Sequence, residues 1–108
     1  MSVERCEYTI IGINIIDKIK DISWDEMEVI EDKIHEVGLN FIYDGMSGKY
    51  CYVGKTLRES EGYGETNTYE INHEDIKEIC CKVGIKLYTV FEDKEIELPK
   101  LISFTHWY

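Results

Sequence analysis

Several things are scarce in this chain of 108 residues. One proline leaves little room for an extended linker. The longest apolar stretch, residues 10–16, is interrupted by Gly12 and Asn14, whereas a membrane helix needs about twenty consecutive apolar residues, so no membrane span is expected. The start, Met1-Ser2-Val3-Glu4-Arg5, is not a basic segment leading into an apolar run, so no secretory signal and a cytoplasmic location are expected. Basic side chains are few, 12 against 22 acidic, for a formal charge of −10. A field of that sign repels phosphate backbones and argues against direct nucleic-acid binding. It favours basic partners, metal ions, or simply solubility.

Catalytic signatures are missing too. The sequence has no phosphate-binding glycine loop, no Gly-x-Ser-x-Gly turn and no Gly-x-Gly-x-x-Gly fingerprint. His35, His73 and His106 are scattered at no metal-binding spacing, so neither a metal nor a cofactor is expected. Cys6, Cys51, Cys80 and Cys81 make no Cys-x-x-Cys pair, and adjacent helical cysteines point about 100° apart. They read as reduced thiols, Cys80 on an apolar face with Ile76, Ile79 and Val83, and Cys81 the more exposed. Cys81 brought together in space with His35 or His106 would make a nucleophile–base pair. The chain reads as non-enzymatic.

At 44% hydrophobic and 31% charged, the composition fits one globular domain over residues 1–108. Its organisation centres on a helix–glycine–strand unit used twice, with Gly38 and Gly84 separated by 46 positions. Aligning them superimposes Ile30 on Ile76, Ile34 on Cys80, Val37 on Val83, Leu39 on Ile85 and Phe41 on Leu87. Glycine just past a helix tolerates the left-handed cap conformation. Residues 8–16 alternate as a strand with Ile11, Ile13 and Ile15 on one face. Ser23 is a helix N-cap with Glu26 three positions on, and the helix it starts buries Trp24, Met27, Ile30, Ile34 and Val37. Strands over 39–44 and 49–57 form a hairpin across the 45–48 turn. Residues 58–67 form a polar loop, or a protruding hairpin with 68–71. Asn72 caps a second helix that ends at Gly84, followed by a strand over 85–91, a turn at 92–94 and a last strand over 101–108. The expected fold is α+β: a ferredoxin-like βαββαβ split-βαβ sandwich, with an antiparallel sheet, two helices on one face and an extra C-terminal strand.

On that plan Ile11, Ile13, Phe41, Leu87 and Cys51 or Val53 face the helices. The opposite face carries Tyr8, Ile10, Asn14, Asn40, Ile42, Tyr50, Tyr52, Tyr88 and Val90. So aromatic a face marks an interface, with Tyr8, Ile42, Tyr50, Tyr52 and Tyr88 as the contact set of a homodimer. Alternatively the C-terminal segment with Phe104, Trp107 and Tyr108 folds over it. The stretch Gly48-Lys49-Tyr50-Cys51-Tyr52-Val53 resembles the third-strand motif of RNA recognition modules, without the glycine that follows the basic residue there. That resemblance implies Tyr50 and Tyr52 as base-stacking platforms, with Lys49 and Lys55 on phosphates.

The acids fall in two windows. Residues 17–36 hold eight acids against three lysines, and residues 57–78 seven against one arginine and one lysine, a net of −5 in each. Asp25, Glu28, Asp32 and Glu36 recur at near-helical spacing, and Glu59, Glu61 and Glu65 lie in the polar loop. Such a stripe is a solvated face or an imitation of nucleic-acid charge that occupies a partner's basic groove. In bulk character the chain is similar to the small acidic viral inhibitors of the phage anti-restriction and anti-CRISPR type. The leading expectation is therefore a protein-binding inhibitor module, a nucleic-acid mimic directed at a partner protein with a basic surface. A dimeric small-ligand-sensing domain is the alternative, and RNA-recognition-like binding through Tyr50 and Tyr52 a further one.

Overall fold

The computed structural model describes residues 5–61, 71–92 and 96–107. In chain order these form β1 (Arg5–Asn14), α1 (Ile16–Ile19), α2 (Trp24–Glu36), β2 (Asn40–Tyr43), β3 (Cys51–Glu61), α3 (His73–Phe91) and β4 (Lys100–Trp107). The protein is α+β, with a four-stranded sheet in the order β2-β3-β1-β4 and every neighbouring pair antiparallel. This is compatible with a ferredoxin-like class. No described helix is long and apolar enough to cross a membrane.

The first helix–glycine–strand unit forms as its residues dictate. Ser23 Oγ accepts the Glu26 amide at 3.2 Å and opens α2. Ile22 before the cap and Met27 in the first turn both join the core, in the pattern of a hydrophobic staple. Gly38, at φ 81°, turns the chain out of the helix into β2. β1 ends where Asn14 Oδ1 accepts the amides of Ile16 and Cys51, and the chain then makes the single turn of α1 in place of further strand.

The second unit does not form. Asn72 Oδ1 accepts the Glu74 amide and opens α3, but the helix runs through Gly84 and ends only at Glu92, which takes the left-handed cap conformation at φ 53°. Residues 85–91, expected from the sequence to be a strand, are helical. The physical reason is a continuous stripe at helical spacing: Ile76, Ile79, Cys80, Val83, Leu87, Val90 and Phe91 all lie in or against the core. Leu87 is fully buried while Ile85, two residues before it, is 66% exposed; a strand would put both on one face. Residues 100–107 are consequently the fourth strand and not an extra one.

Both helices cover one face of the sheet. Ile11, Ile13, Cys51 and Val53 from the strands meet Met27, Ile34, Val83 and Leu87 from the helices in the main core. Cys6 and Cys51 are buried, Cys80 is half-buried and Cys81 exposed.

The sheet is strongly coiled. Phe104 stands opposite Tyr8 and Tyr52 opposite Asn14, a six-residue step of about 20 Å along a flat strand. Yet the Phe104 and Tyr52 ring centroids are 4.2 Å apart. The register irregularity between Thr9 and Ile10 increases the local twist. Gly12 and Gly54 pair so closely that an added Cβ would fall 2.0 Å from the Val53 carbonyl or 2.1 Å from that of Ile11. The face away from the helices is therefore concave.

Candidate binding site

The concave face collects aromatic side chains from three segments. Even-numbered positions of β1 and β4 supply Tyr8, Phe104 and His106, β3 supplies Tyr52, and Tyr50 immediately precedes β3. Tyr8 stacks on Phe104 at 5.5 Å, Tyr50 lies 5.2 Å from Tyr52, and Tyr50 meets Phe104 edge-on at 5.7 Å. Ile10 and Ile42 are buried beneath this layer, and the rings themselves are half-buried. Such contacts stabilise by about 0.5–1.5 kcal/mol per pair beyond their area.

Polar atoms on this face are tied together. The Tyr50 hydroxyl and His106 Nδ1 share a hydrogen bond of 2.6 Å, and the Tyr8 hydroxyl donates to Glu59 Oε1 at 3.2 Å. Burial holds the His106 imidazole below its usual range, against an opposing pull from the Asp44 carboxylate. Burial also raises the Tyr8 and Tyr50 phenols, helped at Tyr8 by Cys6 and Glu59 and at Tyr50 by the Asp44 charge. These groups are held neutral at neutral pH.

Asp44 organises the turn that presents Tyr50. Its carboxylate accepts the Ser47 hydroxyl and the amides of Met46, Ser47 and Lys49. The Ser47 hydroxyl first, then those amides, overcome its desolvation and hold its carboxyl at about 2. The 45–48 turn was legible in the sequence; the Asp44 anchor was not, although an aspartate just before Gly-x-Ser-Gly is a turn signal.

A cleft of about 470 Å³ opens along the outer edge of β2, where the curled aromatic face approaches the N-terminal half of α2. Its walls include Tyr8, Trp24, Phe41 and Tyr43, with Glu28 and Glu31 alongside. Trp24 and Tyr43 stand perpendicular, centroids 6.3 Å apart. Trp24, expected from the sequence to be a core residue, is 75% exposed. It is the first helical residue, and the Ile22–Met27 pair already seals that end of the core, so the indole projects over the β2 edge. Glu31, half-buried, lines the cleft. Burial and the Glu31 charge together push the Cys51 thiol up to about 12, which leaves it unreactive.

The acidic stripe lies where the spacing put it. Asp25, Glu28, Asp32 and Glu36 are all exposed on α2, and the ion pairs resolved among the described residues, Lys20–Asp17 and Lys82–Glu78, lie elsewhere. Glu59 belongs to β3 and is engaged by Tyr8, Glu61 ends β3, and Glu65 lies outside the described residues. The polar loop expected over 58–67 thus begins as strand through Glu61. Of the tyrosine set, Tyr8, Ile42, Tyr50 and Tyr52 share the concave face. Tyr88 does not: it sits in α3, 47% exposed, because residues 85–91 are helical. Val90, placed on the same face, belongs to α3 as well. Among the described residues no His, Cys, Asp or Glu cluster is arranged to hold a metal ion. His106 engages Tyr50, and Cys81 lies exposed on α3. Comparison with family models, curated proteins and solved structures finds no match to this chain.

Proposed function

We propose that this chain is a non-enzymatic binding module, a single ferredoxin-like domain of the cytoplasm that docks its α2 carboxylates against a basic surface of a partner protein. The observation that carries this reading is the exposure of Asp25, Glu28, Asp32 and Glu36 along one helix, with neither of the ion pairs found among the described residues engaging them. Carboxylates spaced along a rigid helix suit a groove that otherwise accepts phosphates. Inhibition of a nucleic-acid-handling protein, in the manner of the phage anti-restriction and anti-CRISPR proteins, is the form of this activity that we favour. Affinity capture with the native chain and with an Asp25→Lys/Asp32→Lys variant tests it. A partner held by the first and released by the folded variant is the expected outcome; equal retention contradicts the reading.

A second reading is a ligand-sensing domain, favoured by the cleft beside Trp24. Self-association through Tyr8, Ile42, Tyr50 and Tyr52 belongs to that reading and is tested by light scattering. Base stacking on Tyr50 and Tyr52 has less support, because both rings are already engaged by Phe104.

A further inference from the structure

The cleft at the β2 edge differs from the acidic stripe in what it can recognise. Four aromatic rings and two carboxylates line it, and its volume suits a small ligand. The perpendicular Trp24 and Tyr43 rings form a corner, so a group seated there meets two aromatic surfaces at once. The Tyr8 hydroxyl is already committed to Glu59, which leaves its ring as the contact. Kept out of the core by the Ile22–Met27 pair, Trp24 is left 75% exposed and borders this cleft. We propose that this cleft binds an organic ammonium group of the methylated or quaternary kind, with Trp24 and Tyr43 against its methyl groups and Glu28 and Glu31 balancing its charge.

A weakly hydrated cation of this type loses little on leaving water and is attracted by ring faces. A primary ammonium needs several acceptors for its N–H groups, and rings supply these poorly. His106, which also borders the cleft, is held in its neutral form by burial and so does not repel a cation. The site shares Glu28 with the docking surface proposed above, whereas Asp25 and Asp32, the residues altered in the docking test, do not line it.

Calorimetric titration of the purified chain with choline and with 3,3-dimethyl-1-butanol, its neutral carbon isostere, tests the assignment. Saturable choline binding, at least tenfold tighter than the isostere, is expected. Trp24→Ala should abolish binding with the fold intact by circular dichroism, and Glu31→Gln should weaken it severalfold. Should Trp24→Ala perturb the fold, Trp24→Phe serves in its place, with reduced binding expected. Equal binding of the isostere, tighter binding of n-butylammonium than of choline, unchanged binding in the folded Trp24 variant, or no saturable choline binding would each overturn the proposal.

Discussion

Val37-Gly38-Leu39 and Val83-Gly84-Ile85 are nearly the same tripeptide at the same point of an amphipathic segment, and the chain does opposite things at them. At Gly38 the backbone enters positive φ and the helix gives way to a strand. At Gly84 the helix continues for seven more residues. The difference lies downstream. After Gly38 side chains go alternately to the two sides, with Leu39, Phe41 and Tyr43 in or against the core under the helices and Ile42 buried on the other face, as in a strand. After Gly84, Leu87 and Val90 extend the helical stripe already begun by Ile76 and Cys80. A glycine permits a helix end; the apolar period of the next few residues decides whether the end occurs.

The largest effect that can break this comparison is at Leu87. Leu87→Ala should destabilise by about 3 kcal/mol, as for other fully buried leucines, while Ile85→Ala should cost under about 0.5 kcal/mol, both read by urea denaturation. Comparable losses at the two positions would mean a strand. Next is Gly38→Ala, which forces a Cβ into the left-handed region and should cost about 1 kcal/mol. Gly84→Ala should do the reverse and stabilise by about 0.5–1 kcal/mol. Its added Cβ would meet only the Pro99 ring at 3.5 Å, an ordinary contact. Loss of stability there would place Gly84 at a helix end after all.

The smallest effect is the pH response of the concave face. His106 is lowered in the folded protein, so the unfolded chain binds the extra proton first as pH falls. Its contribution is full above the ordinary histidine range and is lost as pH drops through that range toward the lowered folded value. His106→Gln should flatten the stability profile between about pH 7 and pH 5. An unchanged slope would remove His106 from the account.

Much of the fold was legible because caps and periods are local. Ser23, Asn72 and the Gly38 turn announce themselves within a few residues, and the alternation within β1 and within β2 puts Tyr8 and Ile42 on the face opposite Ile11 and Ile13. What escaped depends on distant partners. The coil of the sheet accompanies the Thr9–Ile10 register irregularity and the close Gly12–Gly54 pairing, and neither glycine signals the other along the chain. Trp24 was misplaced because apolar character suggested burial, whereas the Ile22–Met27 staple had already closed that end of the core. The cleft exists only because the coiled sheet approaches α2, which no spacing within one segment encodes.

The two long helices differ in charge, since α2 carries six acids against Lys33 whereas on α3 three acids are matched by Lys77, Lys82 and Lys86. α2 pairs its exposed carboxylates with a neighbouring cleft, whereas Glu74 and Asp75 sit in the first turn of α3, where acids favour the helix itself, and Glu78 is bridged to Lys82. The most direct measurement is a ¹H–¹⁵N correlation titration of the labelled chain with hexalysine at low and high salt. Salt-sensitive shifts concentrated on α2 between Asp25 and Glu36, and lost in Asp25→Lys/Asp32→Lys, are predicted. Shifts spread equally over α3, or absent from α2, would contradict α2 as the binding surface.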